Sequence, residues 1–204
     1  MARRTKIEAE QTRNTILDAA EHVFYAHGVA CTSLEQIAKY AGVTRGAVYW
    51  HFKDKIELCE AMMQRVFLPQ EDVLERLANS KTDTPLEDLQ KACTDSLKLM
   101  AKDKQRRRVF SILMFRCEYV EEMTAVMKRR HQCKDRMLER CTRLFERAAE
   151  LKVLAPQWTP KVAAVSLQAM MGGIILNGLE GRKQFKLAEA GPACLEAFFR
   201  SVSA

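Results

Sequence analysis

Apolar residues recur every three or four positions along most of this chain, which is the period of an amphipathic α-helix. The first stripe keeps this spacing at Ile16, Leu17, Ala20, Val23 and Phe24. Gly28 follows it, and glycine is common just after the last turn of a helix. No stretch alternates convincingly as a half-buried strand would, so the pattern predicts an all-α fold with about nine helices.

Two short helices are predicted next, and both are opened by residues that cap helix N termini. Two overlapping capping boxes pair Thr32 with Glu35 and Ser33 with Gln36. The helix that they open ends near Gly42, and Thr44 opens a very short third helix that ends at His51. A short helix, a turn with glycine and a second short helix match the plan of a helix-turn-helix.

Six further helices are predicted after His51. Asp54 with Glu57 caps a long fourth helix, in which Pro69 favours a kink. The predicted breaks between the later helices lie at residues 79–85, near Asp103, and at residues 118–122, 155–160 and 181–185. This pattern divides the chain into a three-helix helix-turn-helix domain over residues 1–55 and a six-helix domain over residues 56–204.

The third helix has a composition suited to reading DNA. In a helix-turn-helix, the N-terminal end of the second short helix enters the major groove. Arg45 can donate two hydrogen bonds to one guanine, while Gly46 and Ala47 are small enough for the backbone to approach the bases. Phosphate contacts are predicted from the side chains of Tyr49, His51, Lys53 and Lys55 and from the backbone amides at Ser33 and Thr44.

The helix-turn-helix region also carries a specific string of residues. Residues 32–38 read Thr-Ser-Leu-Glu-Gln-Ile-Ala, and residues 41–55 read Ala-Gly-Val-Thr-Arg-Gly-Ala-Val-Tyr-Trp-His-Phe-Lys-Asp-Lys. This string resembles the signature of TetR-family repressors, and the resemblance extends upstream to residue 12. Residues 2–6, 106–108 and 117–119 resemble one branch of that family, the AcrR, TtgR and MtrR type that controls multidrug efflux pumps.

The resemblance implies a homodimer that binds a palindromic double-stranded DNA operator and represses transcription. It implies DNA-facing positions at Thr44, Arg45, Gly46, Ala47, Tyr49, Trp50, His51 and Lys55. Trp50 is expected to act as much by packing as by contact. The expected function is a repressor of a multidrug efflux operon that a small apolar ligand releases. A regulator of a metabolic or redox operon, or an activator, fits the same resemblance.

The six-helix domain is expected to bind the ligand and to form the dimer. Ten methionines are many for this length, and flexible methionine suits a pocket that accepts many shapes. The predicted lining residues are Met62, Val66, Phe67, Met100, Phe110, Leu113, Met114, Cys117, Met137, Cys141, Met170, Met171 and Ile174. Each could instead be an ordinary core residue. Relatives often carry an acid or amide where this chain has Phe67, Phe110, Met114 and Gly172, so the resemblance implies a neutral apolar or aromatic ligand.

A dimer interface is predicted on the last two helices. Residues 162–179 carry no charged side chain, and one face presents Val162, Val165, Ala169, Gly172, Gly173 and Leu176. The last helix has its own stripe at Leu195, Phe198, Phe199 and Val202. Two such helices from each subunit would form a four-helix interface, although both stripes could pack within one subunit. The uncharged segment just reaches the length of a membrane span, but Ser166, Gln168 and Asn177 favour an interface helix, and no membrane partner is predicted.

The net charge of +7 favours a polyanionic partner, but its distribution weakens that argument. Residues 1–60 carry eight basic and eight acidic side chains, whereas residues 104–152 carry fourteen basic and seven acidic ones. The excess is interpreted as a solvated helix face, with attraction of anionic ligands or steering toward DNA as the less favoured reading.

Cysteine and histidine positions argue against a metal site or an enzyme. The seven cysteines form no Cys-x-x-Cys motif, which predicts reduced thiols in the cytoplasm. A metal site at His131 and Cys133 with Cys141 is conceivable, but helical spacing puts Cys133 and Cys141 only loosely on one face and a third and fourth ligand are not apparent, so neither a metal nor a cofactor is predicted. A redox role for Cys31 or Cys117 is conceivable, but a small buried apolar residue is the more usual explanation. The chain has no phosphate-binding loop or nucleophile motif, so an enzyme is not expected.

Overall fold

The computed structural model describes residues 6–117, 124–181 and 185–204, without the side chains of residues 67, 68, 70 and 125. Across these residues the chain forms nine α-helices and one π-helical segment. They are α1 (Lys6–His27), α2 (Leu34–Ala41), α3 (Arg45–His51), α4 (Lys55–Asn79), α5 (Pro85–Lys102), α6 (Lys104–Ser111), the π-helical segment Ile112–Arg116, α7 (Thr124–Glu150), α8 (Pro160–Glu180) and α9 (Leu187–Val202). The predicted all-α fold of three plus six helices is confirmed. The break predicted at residues 118–122 lies outside the described residues.

The described helices pack into two compact units. The first contains residues 6–66 and the described part of Arg108–Arg129, and the second contains Phe67–Arg107 and the described part of Arg130–Ala204. The helix α4 is continuous across Pro69 and contributes its first half to the first unit and its second half to the second. The functional boundary expected between residues 55 and 56 stays a prediction.

The start of α2 is set by one of the two predicted capping boxes. The Ser33 hydroxyl accepts a hydrogen bond from the Gln36 backbone N–H at 3.2 Å, and the Gln36 side-chain oxygen accepts one from the Ser33 N–H at 2.7 Å. The predicted box of Thr32 is not formed, because its buried hydroxyl donates to the Gly28 carbonyl at 2.7 Å. Thr32 therefore closes the end of α1 instead of opening α2.

The turn between α2 and α3 follows the prediction closely. Gly42 ends α2 with a φ of 66°, a left-handed conformation that glycine adopts without steric cost. The Val43 N–H donates to the Ala38 carbonyl at 3.1 Å, which satisfies one of the orphan carbonyls at the helix end. The Thr44 hydroxyl then caps α3 by accepting from the Ala47 N–H at 3.2 Å. The angle between the two short helices is thus specified by local sequence.

The core of the second unit lies between α5, α8 and α9, with contributions from the second half of α4 and from α7. Its fully buried side chains include Leu89, Phe145 and Leu195. The chain end is fixed by an antiparallel bridge between Leu154 and Ser203, a pairing that helical periodicity did not predict.

Candidate functional site

The first three helices form the supporting core of the predicted DNA-reading surface. The face of α1 that contains Ile16, Ala20 and Phe24 is fully buried, and α1 packs against both α2 and α3. Ile37 of α2 and Val48 of α3 are also fully buried, as their spacing predicted. With these positions committed to the core, the opposite side of α3 must face solvent.

The exposed side of α3 carries the residues predicted to contact DNA. Thr44, Arg45 and Gly46 are exposed, as is Ser33 at the start of α2, and Tyr49 is 48% exposed. A Cβ added at Gly46 would lie 3.9 Å from the Thr44 hydroxyl oxygen, which is an ordinary contact distance. Packing within the chain therefore does not require glycine at this position, whereas close approach of another molecule would.

Arg45 is held against its own helix in the unbound chain. Its guanidinium donates to the Tyr49 hydroxyl at 3.4 Å, and its Cζ lies 5.4 Å from the centre of the Tyr49 ring. The two residues are four positions apart, which places them on one face of α3. Arg45 must leave this ring to bind a base edge.

Three predicted DNA-facing residues need further description. Trp50 is 72% exposed and its ring meets His51 edge-on, with centroids 4.4 Å apart, so it packs against a neighbour in its own helix and not in the core. Ala47 and His51 are half-buried. The side chain of Trp50 is therefore available for contact with a partner rather than committed to the core.

Lys55 attaches the beginning of α4 to the loop between α1 and α2. Its ammonium donates hydrogen bonds to the carbonyl oxygens of Val29 at 2.9 Å and Ala30 at 3.1 Å. A lysine ammonium has three N–H donors, so these bonds leave one. The phosphate contact predicted for Lys55 stays a prediction and has to use the remaining donor.

A buried ion pair, which sequence reasoning missed, joins α1 to α6. The Arg108 Nε donates to Glu21 Oε1 at 2.6 Å; the Glu21 side chain is 1% exposed and that of Arg108 is 29% exposed. The apolar stripe of α1 gave no reason to expect a buried carboxylate within it. The pair holds α6 against the helix that supports α2 and α3.

The residues predicted to line a ligand pocket are distributed over both units. In the first unit, Met62, Val66, Phe110 and Leu113 are buried, and Met114 and Cys117 are half-buried. Leu113 and Met114 belong to the π-helical segment. Such segments are rare and occur often at functional sites. Their role as pocket residues stays a prediction.

The predicted lining residues of the second unit belong to its core or border it. Met100, Cys141 and Ile174 are buried. Met137, Met170 and Met171 are half-buried and pack against the main cluster of that unit. Phe67 lies outside the described side chains. The structure thus brings Met137, Cys141, Met170, Met171 and Ile174 together, which suits both a lining role and an ordinary core role.

Among the described residues of the second unit, sequence reasoning also missed a buried carboxylate. Glu71 of α4 is 5% exposed and accepts hydrogen bonds from Arg136 of α7 at 3.0 and 3.2 Å. Burial opposes its ionisation, but hydrogen bonds from Cys133 and Arg136 and the charge of Arg140 hold the pKa of Glu71 below its usual value. Glu71 is therefore an ionised carboxylate whose charge is balanced by Arg136 and Arg140.

The pair at Glu71 is the first of three successive polar contacts between α4 and α7. Glu75, four residues later, accepts from Arg140, and Asn79 accepts from Arg143 at 2.9 Å. Acidic and amide side chains at positions 71, 75 and 79 thus face arginines at 136, 140 and 143. These polar residues recur at helical spacing on both segments, and this pattern could have predicted from sequence that α4 and α7 pair.

The two stripes predicted for the dimer interface differ in exposure. On α8, Val162 is 54% exposed and Val165 is 46% exposed, and added Cβ atoms at Gly172 and Gly173 would meet nothing within 4 Å. On α9, the residues Leu195, Phe199 and Val202 are buried in the core of the second unit. The prediction that their stripe forms the interface is wrong, because these side chains already fill their own subunit.

Length and composition alone would allow one described helix, α8, to cross a membrane. A single apolar helix is weak support for a membrane span, since a helix that packs inside a protein or against a second subunit passes the same test.

The metal site considered at His131, Cys133 and Cys141 is not assembled. Within residues 6–117, 124–181 and 185–204, no group of three or more His, Cys, Asp or Glu side chains is placed to hold a metal ion. Cys133 instead contacts Arg136, whose Nη2 lies 3.3 Å from the sulfur.

Comparison with known proteins covers nearly the whole chain. A family model described as "Bacterial regulatory proteins, tetR family" matches residues 16–62, and one described as "MAATS-type transcriptional repressor, C-terminal region" matches residues 84–203. The HTH-type transcriptional repressor BepR of Brucella suis biovar 1 (strain 1330) is 39% identical over 202 residues, which are 99% of this chain and 97% of that protein.

Two similar solved structures have the same overall fold. NalD, described as the secondary repressor of the MexAB-OprM multidrug efflux pump in Pseudomonas aeruginosa, is 38% identical with a TM-score of 0.86, over 97% of this chain and 98% of that one. The SmeT–triclosan complex is 34% identical with a TM-score of 0.87, over 95% and 92% of the two chains. SmeT is described as the repressor of the Stenotrophomonas maltophilia multidrug efflux pump SmeDEF.

Proposed function

This chain belongs to the TetR family of bacterial regulatory proteins, and from that premise we propose that it is a dimeric repressor of a multidrug efflux operon. In this proposal it acts in the cytoplasm and leaves its operator when a small apolar ligand binds. Members of the family are DNA-binding transcription factors, and no enzyme family is indicated. The observation that carries the proposal is the exposed surface of α3 and its N-cap, where Thr44, Arg45, Gly46, Tyr49 and Trp50 lie outside the buried core of the first three helices.

Dimerisation through α8 would let the chain read a palindrome. The exposed apolar face of α8 contains small residues that permit close approach of a second helix, and it carries no charge that burial would penalise. An isologous contact of this face with itself gives a two-fold dimer. Two copies of α3 would then meet half-sites about one DNA turn, or ~34 Å, apart.

Release by ligand would follow from linkage between two conformations. A ligand that binds better to the conformer with mis-spaced recognition helices must weaken operator binding by the same factor, about 5–150-fold for typical couplings. We propose that α4 transmits the conformational change from the ligand to the DNA-binding helices. Its first turn is bonded to the α1–α2 loop, and its second half is paired with α7. In functional terms the ligand-binding and dimerisation domain then begins at residue 56.

The ligand class that suits this chain is neutral and apolar or aromatic. The residues proposed to line the pocket are apolar or sulfur-containing. The buried carboxylate of the second unit, Glu71, already accepts from Arg136 and lies 3.7 Å from Arg140. A cationic ligand would have to displace Arg136 or Arg140 to reach Glu71, which breaks an ion pair whose carboxylate is buried.

Arg45→Ala is expected to weaken specific operator binding by roughly 1–3 kcal/mol and to relax base choice at one position in each half-site. The reason is loss of a bidentate contact with guanine. Lys53→Ala is the matched control, because a lost phosphate contact should weaken binding to all sequences about equally. Titration of both variants against an operator library by fluorescence anisotropy separates the two results, and an unchanged operator preference for Arg45→Ala would contradict the assignment.

Triclosan, the ligand named in the SmeT complex, is the probe for release. It is expected to bind the full chain and to lower affinity for the palindrome upstream of its own gene, whereas the cationic dye crystal violet should bind more weakly. Calorimetry gives both affinities and an operator titration gives the coupling. Tight binding of the dye alone, or binding of triclosan with no change at the operator, contradicts the proposal. Neighbouring efflux-pump genes and derepression on deletion of the chain would distinguish it from a metabolic regulator or an activator.

A further inference from the structure

A cationic side chain of α1 lies against the C-terminal end of α3. The Cζ of Arg13 is 4.9 Å from the centre of the Phe52 ring. Phe52 is the residue that ends α3, where its N–H donates to the Val48 carbonyl at 2.9 Å, and it is 1% exposed. A guanidinium within about 6 Å of a ring centre is attracted to the face of the ring. This contact therefore ties α1 to the end of the helix proposed to read DNA.

Arg13 lies on the buried side of α1. It precedes Ile16 and Leu17 by three and four positions, which places the three side chains on one side of the helix, and both apolar residues are fully buried. Arg13 itself is half-buried. The methylene groups of an arginine can cover apolar surface while the guanidinium stays at its edge. The place of Arg13 is therefore set by the same packing that holds α1 against α2 and α3.

A series of ring contacts leads from Phe52 to the exposed surface of α3. The centroids of the Phe52 and His51 rings are 6.3 Å apart, and those of the His51 and Trp50 rings are 4.4 Å apart. The first pair is tilted and the second meets edge-on, and aromatic rings prefer such arrangements to a face-to-face stack. Exposure rises along the series, from buried Phe52 through half-buried His51 to exposed Trp50. The buried end, which Arg13 contacts, therefore supports the exposed end.

The backbone beyond α3 is fixed by separate interactions. The Lys53 N–H donates to Glu57 Oε2 at 2.7 Å, and Asp54 Oδ1 accepts from the Glu57 N–H at 2.9 Å. These bonds set the path of the chain into α4. The contact of Arg13 is with the Phe52 ring itself, so it bears on the orientation of side chains in addition to that path. A helix of seven residues such as α3 depends on contacts of this kind for its stability.

We propose that Arg13 is a positioning residue for DNA reading, which holds His51 and Trp50 in place through the Phe52 ring. The inference rests on the proposed function, in which His51 and Trp50 face the operator. Side chains that are ordered before binding lose less conformational entropy when they meet a partner. Arg13 thus raises operator affinity without touching a base or a phosphate.

Arg13→Met is expected to lower operator affinity by about ten-fold. Methionine keeps an unbranched apolar chain beside Phe52 but lacks the guanidinium, so His51 and Trp50 have to be ordered during binding. Phe52→Leu keeps the guanidinium, removes the ring and should have a similar effect. The double variant should bind no more weakly than the weaker single variant, because both changes remove the same contact. Phe52→Met is a second variant in case leucine leaves a destabilising cavity at this buried site.

A direct phosphate contact of Arg13 would give a different result. Loss of one such contact lowers the slope of log affinity against log salt concentration by about 0.9. Its effect would also add to that of Phe52→Leu. For a positioning residue, the slope of both single variants stays at the value of the unsubstituted chain. Lys53→Ala, which removes a proposed phosphate contact, is the comparison in the same salt titration.

Fluorescence of Trp50 in the free protein provides a readout that does not depend on DNA. The chain has two tryptophans, and Trp158→Phe leaves Trp50 as the only emitter. Time-resolved anisotropy then reports rotation of the Trp50 ring, which for a side chain occurs in picoseconds to nanoseconds. Arg13→Met should increase the amplitude of this fast rotation, while circular dichroism shows that the helices remain folded. A purely structural role of Arg13 would lower the free energy of unfolding and leave the rotation of Trp50 unchanged.

The operator titrations use the full chain with both tryptophans. The unsubstituted chain must first bind its operator, and failure at that stage counts against the proposed function rather than against Arg13. Lower affinity with an unchanged salt slope, non-additive losses and a more mobile Trp50 support the inference. Unchanged rotation of Trp50 in Arg13→Met, additive losses in the double variant, or a slope lowered by about 0.9 in Arg13→Met would each overturn it.

Discussion

Replacement of Arg108 by alanine is expected to lower the free energy of unfolding by about 3 kcal/mol at neutral pH. Removal of the guanidinium takes away the donor that now lies 2.6 Å from the Glu21 carboxylate, which is 1% exposed. Loss of one partner of a buried pair typically costs about 3–5 kcal/mol, and the lower value applies because Arg108 itself is 29% exposed. Urea unfolding followed by circular dichroism at a fixed protein concentration measures the change.

Arg200→Ala is the matched control. Arg200 and Glu196 are also joined at 2.6 Å, but their side chains are 77% and 65% exposed, and exposed pairs contribute about 0–1 kcal/mol. A double replacement, Glu21→Leu with Arg108→Met, should restore much of the stability lost in Arg108→Ala, because it removes the buried carboxylate together with the guanidinium. Equal destabilisation by Arg108→Ala and Arg200→Ala would show that burial of the pair has no energetic consequence.

Val165→Glu is expected to separate the dimer and to lower operator affinity by about 10²–10⁴-fold. In a two-fold interface through α8, the substitution places a carboxylate from each subunit within the same apolar contact, where like charges cost several kcal/mol. A monomer then binds one half-site and loses the gain in affinity that comes from binding both half-sites at once. Light scattering after size-exclusion chromatography reports the mass, and anisotropy reports the affinity for the operator and for a single half-site.

Leu99→Glu is the control for added charge alone. Leu99 lies on α5 and is 42% exposed, close to the 46% of Val165, and it does not belong to the α8 face. This variant should remain dimeric and keep its operator affinity. A dimeric Val165→Glu, or a monomeric Leu99→Glu, would rule out the α8 interface.

The helix-turn-helix was predictable because its determinants are local. The Ser33 capping box and the left-handed glycine at position 42 each depend on residues within four positions of one another. The buried face of α1 follows from one helical period. These features are written in short stretches of sequence, and the structure confirms them.

The interactions that were missed depend on partners distant in sequence. The Glu21–Arg108 contact spans 87 positions and the Glu71–Arg136 contact spans 65. Helical periodicity states which face of a helix is apolar but does not state which element covers it. For the same reason the stripes of α8 and α9 looked alike in sequence, although Phe199 is buried in its own subunit and Val165 is exposed.

The contact between Arg45 and Tyr49 bears on how the chain would search a genome. A guanidinium stacked on an exposed aromatic ring is weakly stabilised by the ring. While the protein slides along arbitrary DNA, Arg45 can stay on Tyr49 and leave the base edges untouched, so travel is not slowed by a probing side chain. If Arg45 reads a guanine as proposed, the contact with the base has to exceed the stabilisation that the stack provides, and a weaker contact with a wrong base would leave Arg45 on the ring. In the proposed complex the stack would therefore damp weak contacts of Arg45 at wrong bases, while it lowers the gain from the correct guanine by the same amount.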